Sequence, residues 1–380
     1  MNSFLENSYL YLVGQIEKAL NNVDCSKVSD FLDLLKESMK NRRVTVDGSG
    51  RSLQSALLLA TQLEKAYGIR VNQVQNANLR PLRAGDIFVA NSFSAKPDSR
   101  IVNNANVAKE KGLKTVFITA NEAIEDDYDI VILLKKDAHN EMYAPLGTEF
   151  EQASATLLSC IACSYDKTNP NDQYGYYCKN VIKEFDSNLA CFKRQDKTIS
   201  SFLTIIDEYL DINNEKVVYF KGTGINEIIS RVIAIRYGHL HKEDLKDLKV
   251  VYESHWRCRR QEDFAVLLSG SGETEQMIKY ARQAADIGMK LFVITCFEDS
   301  PLARANNKYY QNHVGNLVIG GRPERISYFN RSLYHITSLF FPQFELNTYI
   351  TLDALLALIA KNNNITEEDM KKTHRDKELE

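Results

Sequence analysis

One order of elements occurs twice in this chain of 380 residues. VTVDGSGRS reads as a short apolar strand, a glycine turn and a helix start, and SLQSALLLATQLEKAY carries the helix to Gly68. Strands follow at IRVNQVQ, DIFVANS, KTVFITA and DIVILLK, with a helix around VNNANVAKEKG, and GTEFEQASATLLSCIACSY is a long closing helix. The second half runs through VVYFKGTGIN, INEIISRVIAIRYGHL, DLKVVYESH, DFAVLLSGSGET, ETEQMIKYARQAADIG, KLFVITCF and FELNTYITLDALLALIAK in the same order, at an offset of about 175–195 residues. That offset is one domain, too long for a solenoid unit. Strands alternating with helices call for parallel sheets covered on both faces. The expectation is an α/β chain of two such units, 1–186 and 187–380, joined by the polar helical stretch from about Asp166 to Asn214. Leu5, Tyr9, Leu12 and Ile16, then Phe31, Leu34 and Leu35, place helices ahead of the first strand, and NNNITEEDMKKTHRDKELE reads as an exposed last helix.

Composition narrows the partners. Hydrophobic residues at 44% and charged residues at 26% suit a folded globular chain and exclude a disordered one. The 47 basic and 50 acidic side chains give a net charge of −3, so no bulk basic footprint for nucleic acid exists. Residues 1–43 hold no recognition helix, and no nucleic-acid partner is expected. Mean hydropathy is −0.33 and no apolar run approaches the roughly 20 residues that span a bilayer, so no membrane partner is expected either. The N-terminus lacks a basic n-region, and the seven cysteines are odd in number with no disulfide framework, which points to a reducing cytoplasm. Cys160-Ile-Ala-Cys163 is a lone CxxC inside an apolar run; a second ligand pair is missing, so two buried helix thiols account for it better than a redox or zinc site does.

Chemistry concentrates where strands turn into helices. Ser269-Gly270-Ser271-Gly272-Glu273-Thr274 follows the strand DFAVLL and precedes an amphipathic helix. Glycines let a backbone approach an anion, the helix N-terminus offers free N–H groups, and Ser269, Ser271 and Thr274 add hydroxyls. Serine and threonine also cap helices, so a plain N-cap is the alternative. The loop is not a P-loop, since GxxxxGK[ST] is absent. The turns Gly48-Ser49-Gly50 and Gly222-Thr223-Gly224 fail a dinucleotide fingerprint, because Leu53 and Glu227 stand at the third glycine position; a polyol pocket suits them better.

With these segments in view, the chain resembles the sugar isomerase (SIS) domain proteins, above all the 6-phospho-3-hexuloisomerases. VTVDGSGRS and PLGTEFEQASATLL are similar to that family's glycine turn and GTxFE helix start, and SGSGETEQ to its phosphate loop. Arg236 and His239 in AIRYGHL are similar to a family helix segment, and His374 sits in a C-terminal end like the family's. The resemblance implies two flavodoxin-like three-layer (αβα) SIS domains, arranged as an internal pseudo-dimer, and a sugar phosphate bound without cofactor or metal. It implies a glutamate base, Glu151 or Glu345, working through an enediolate, with His239 near the site. Gly270, Gly272, Gly224, Asn226, Arg51 and Ser52 join the serines and Thr274 in the implied binding set. A first-turn acid stabilised by the helix dipole is the other reading of Glu151, and a satisfied helix histidine that of His239. A free glutamate titrates near about 4.3, so a base for neutral pH needs burial.

The two copies depart from the pattern differently. The first replaces the loop glycines with Phe93 and Ala95 and carries Pro97, which lacks a backbone donor; Lys65 stands opposite His239, and Lys96 offers a substitute cation. The second has Ile225-Asn226 for Arg51-Ser52 and Pro342-Gln343 before its Phe-Glu pair. One composite site is expected, anchored on SGSGET and completed by Arg51 or Glu151, in a homodimer of the tandem chain. The activity expected is isomerisation of a sugar 6-phosphate. The alternatives are a non-catalytic phosphosugar sensor and an amino-sugar phosphate deaminase or deglycase. His255 and Trp256 in YESHWRCRR line the pocket or lie in an exposed loop.

Overall fold

The computed structural model describes residues 2–38, 43–69, 71–74, 81–135, 137–165, 167–251, 259–308, 311–322 and 341–375. The first sheet contains β1 (Val44–Gly48), β2 (Val71–Gln73), β3 (Ile87–Asn91), β4 (Lys114–Thr119) and β5 (Ile130–Leu133). Its order is β2-β1-β3-β4-β5, every pair parallel. The second contains β6 (Val218–Lys221), β9 (Val250–Val251), β10 (Phe264–Leu268), β11 (Lys290–Thr295) and β12 (His313–Val318), in the order β12-β11-β10-β6-β9, again all parallel. A small antiparallel pair, β7 (His241–Lys242) with β8 (Lys246–Asp247), lies between β6 and β9 in the chain. Both five-stranded sheets follow the flavodoxin-like 2-1-3-4-5 order, which puts a topological switch point between β1 and β3 and another between β6 and β10.

Parallel strands buried on both faces need continuous apolar runs. IFVAN of β3 and FAVLL of β10 are such runs, and both are buried throughout. One face of each sheet has its own outer helix. α4 (Arg100–Glu110) packs Ile101, Val102 and Ala105 against Phe88 and Phe117, and α9 (Glu275–Ile287) packs Met277, Ala281 and Ala284 against Ala265 and Leu267. The other two faces share one core. It gathers side chains from α1 (Ser3–Asn21), α2 (Cys25–Ser38), α3 (Gly50–Tyr67), α5 (Glu149–Ser164), α6 (Pro170–Phe192), α7 (Asp196–Tyr209), α8 (Ile225–Tyr237) and α11 (Gln343–Asn362). α10 (Pro301–Lys308) precedes β12, and α12 (Glu367–Arg375) ends the described chain. This is the back-to-back arrangement of an internal pseudo-dimer.

α5 and α11 mark its centre. Every residue of α5 is buried, as is α11 from Gln343 to Ala360, which is how a helix apolar on all sides must sit. Cys160 and Cys163 are accordingly buried free thiols within α5. The 186/187 division lies inside α6. α12 is only partly exposed, since Met370 is buried. No helix among the described residues is long and apolar enough to cross a membrane.

Candidate functional site

The Ser269–Thr274 loop leaves the carboxyl end of β10 at the second switch point and enters α9. Its glycines answer two close approaches. A Cβ on Gly270 would sit 2.8 Å from Arg322 Nε and 3.0 Å from Phe344 Cδ1. Gly272 has φ +61°, and its Cβ would fall 2.3 Å from Ser300 Oγ. The loop carbonyls are tied down from behind, Gly270 O by the Cys296 amide and Gly272 O by that of Leu302, both near 3 Å. Thr274 stands at the N-cap of α9, yet its side chain makes no capping hydrogen bond. Its hydroxyl accepts instead from Ser269 Oγ at 3.4 Å, and the amides of Ser271, Thr274 and Glu275 have no acceptor among the described residues. Free donors at the start of a helix are the physical basis of an anion site.

Three further side chains converge here. Glu345, in the first turn of α11, is 1% exposed. Arg322 Nη2 donates to its Oε1 at 2.7 Å, while Oε2 is buried with no partner among the described residues. Cys296, just beyond β11, is near both; burial pushes its thiol pKa well up, outweighing the Arg322 charge. Neither Arg322 nor Cys296 was singled out from the sequence. The available signal was position: the Cys directly follows a strand at its carboxyl end, and GlyGlyArg comes one residue after another. Across the switch point, Gly224 begins α8 with φ +63°, and Gly222 approaches so closely that a Cβ would lie 2.3 Å from the Asn226 carbonyl oxygen. Asn226 Oδ1 is buried without a partner among the described residues.

The first switch point is built from the same backbone and is closed. Asp47, one residue before the end of β1, corresponds to Lys221 at the end of β6; in register they pair with Ala90 and Leu267, each two residues before its loop. Arg100, the first residue of α4, reaches back over the crevice to the fully buried Asp47 at 3.0 and 3.2 Å and to the Gly48 carbonyl at 2.7 Å. Asn104 adds a bond to Asp47 at 2.8 Å. Ala95 takes φ +40° where Gly272 takes +61°, and Phe93 packs edge-on against Phe150, ring centroids 5.5 Å apart. Lys96 is exposed.

Arg51, Ser52 and Glu151 form a separate group in this half. Ser52 Oγ donates to Glu151 Oε1 at 3.3 Å, Arg51 is 4.0 Å from Oε2, and Arg51 also bonds the carbonyls of Leu146 and Gly147. Among the described residues no hydrogen bond or ion pair joins them to the Ser269–Thr274 loop. What connects the groups is one face of α11. Glu345 belongs to the second group. Tyr349, one turn on, shares a 2.9 Å bond with Thr148 Oγ1, and its phenol pKa is raised by burial and by the Asp353 charge. Asp353, a further turn on, accepts from Thr148, Gln152 and Arg236 Nε at 2.7–2.8 Å.

Arg236 and His239 have different surroundings. Arg236 is wholly buried and also donates to the Pro145 carbonyl at 2.8 Å, so it braces α8, α11 and the loop before α5. His239 is buried at the end of α8, with Nδ1 against Thr373 Oγ1 of α12. The side chains of His374 and Lys65, and all of His255, Trp256 and Cys258, lie outside the described residues.

A parallel αβα sandwich with a serine- and glycine-rich loop at its switch point defines the doubly wound class, with a helix N-terminus open to an anion. Residues 211–314 match the SIS domain family model. It is 26% identical over 199 residues to 3-hexulose-6-phosphate isomerase of Methanocaldococcus jannaschii, covering 51% of this chain and 96% of that one. It is 23% identical over 191 residues to the Methylomonas aminofaciens protein of the same name, covering 48% and 97%. These relatives span about half of the chain. Its whole length has the fold of tagatose-6-phosphate ketose/aldose isomerase from Escherichia coli, with a TM-score of 0.66, 13% identity, and 97% and 95% of the two chains covered.

Proposed function

We propose that the chain isomerises a sugar 6-phosphate at one operative site, in its second half. The observation that carries this reading is the buried Glu345 carboxylate, one oxygen held by Arg322 and the other without a partner, beside a loop of unused donors. The phosphate accepts from Ser269, Ser271 and Thr274 and from main-chain amides at the start of α9. Glu345 takes a proton from the carbon beside the carbonyl, and the electron pair moves into an enediolate whose oxygen the Arg322 cation stabilises. The carboxyl returns the proton to the former carbonyl carbon while the hydroxyl proton passes from one enediol oxygen to the other, which shifts the C=O by one position with no oxidant required. Gly224 and Asn226 face the sugar hydroxyls, and His239 relays protons.

The first half is assigned to support. Arg100 fills its crevice, and Glu151 with Arg51 and Ser52 steadies the first turn of α5. The two relatives named 3-hexulose-6-phosphate isomerase make a hexulose 6-phosphate the first substrate to try. The test is a panel of hexose, hexulose, pentose and amino-sugar phosphates in deuterated water. Deuterium gained at the carbon beside the carbonyl, with isomeric product, is the expected result. Saturable binding with neither exchange nor product would convert the reading to a sensor.

A further inference from the structure

His139 lies in the loop between β5 and α5, and both ring nitrogens face carboxylates. Nδ1 is 2.8 Å from Glu149 Oε1, in the first turn of α5, and Nε2 is 2.7 Å from Glu367 Oε2, in the first turn of α12. A neutral imidazole carries a single N–H, so one contact would then set a lone pair against a carboxylate. Only the imidazolium makes both contacts hydrogen bonds.

The neighbours fix the two acids in place. Tyr11 of α1 donates to Glu149 Oε1 at 2.9 Å, and the Thr148 amide to Oε2 at 2.8 Å. The Leu146 amide donates to Glu367 Oε2 at 3.0 Å, and Lys371 pairs with Glu367 at 2.6 Å. The other charges around the loop are Arg51 of α3, bonded to the Leu146 and Gly147 carbonyls, Lys18 of α1 with Asp137, and Glu141. Burial pulls the His139 pKa down, but the bonds to Glu367 and Glu149 outweigh it and leave the net shift upward. Burial raises both carboxylates, yet the bond to His139 and their other donors hold them below the ordinary value.

α12 also grips the second half, through Thr373 on His239 and Lys372 on Glu243 at 2.6 Å. We propose that His139 is a positioning residue: its imidazolium clasps α12 to α5, and the helix so held fixes His239 through Thr373. The clasp has a pH window. The histidine's contribution is complete below its ordinary 6.5 and is lost as pH rises through the raised folded value. The carboxylates' contribution is complete above 4.5 and is lost as pH falls through their depressed folded values. α12 therefore loosens on the alkaline side.

The test needs no ligand, so its outcome is independent of the isomerase reading. Amide-exchange protection factors for residues 367–375 are followed in the full chain from about pH 6 to pH 9, with the His139 ring titrated by NMR. The ring should titrate above 6.5. Over the same range α12 should lose at least about tenfold in protection while α11 keeps its own. In His139→Gln, α12 should be weakly protected at every pH. Should that variant not fold, Glu367→Gln should move the His139 titration down and weaken α12. A ring titrating at or below 6.5, or α12 protection flat through the titration, overturns the proposal.

Discussion

Arg322 Nη2 donates to Glu345 Oε1 at 2.7 Å, and the second oxygen of that carboxylate has no hydrogen-bond partner among the described residues. A carboxylate so held, 1% exposed in the first turn of a buried helix, is oriented by one oxygen and leaves the other to accept. Glu151 has a different balance: Ser52 and Arg51 address both of its oxygens.

Glu345→Gln keeps the shape and the helix start while removing the carboxylate that the isomerase reading makes the base. Solvent-deuterium exchange into the bound sugar should fall by about 10²–10⁴-fold, the usual worth of a positioned general base. Affinity for the phosphosugar, measured by calorimetry, should change little. Arg322→Met should lower exchange as well, and it should also lower the melting temperature because Glu345 is left buried without its cation.

The two switch points should respond in opposite ways. Ser271→Ala with Thr274→Ala removes donors at the open loop and should weaken phosphosugar binding tenfold or more, with stability nearly unchanged. Arg100→Ala removes the cation from the closed one. Asp47 then keeps only neutral donors, which should cost about 1–3 kcal/mol in denaturant unfolding. Phosphosugar affinity should stay the same. A loss of affinity in the Arg100 variant would show that the first half takes part in binding.

Arg236 and Asp353 are exposed by 0% and 1% and meet at 2.7 Å across α8 and α11. Breaking such a pair strands a buried charge, so Asp353→Ala should destabilise the fold by about 3–5 kcal/mol. Replacing both, as Arg236→Met with Asp353→Leu, should recover part of that loss. A double-mutant cycle on chemical denaturation measures the coupling.

The sheets and their order were legible because parallel strands must be apolar along their length, and the runs at Ile87–Asn91 and Phe264–Leu268 leave little else to become. The loop glycines were legible for a similar reason: Gly272 sits at φ +61° against Ser300, where a side chain has no room. Arg322 was not legible. One arginine after two glycines carries no periodicity, and its partner lies 23 residues on, on another element. The Arg100–Asp47 closure was hidden in the same way, since it depends on how α4 sits over β1. Arg236 stood beside His239 in one motif, but nothing local says that its partner is on α11. Pairings between elements are set by how helices cross, and a single chain read in order does not display them.

α1, ahead of the first sheet, and α11, after the second, interleave in the same interior as α5 and α8. Because the two halves share their inward surfaces, neither can be removed without putting the other's apolar helices in water, so the first half is indispensable as a wall whatever its own crevice does.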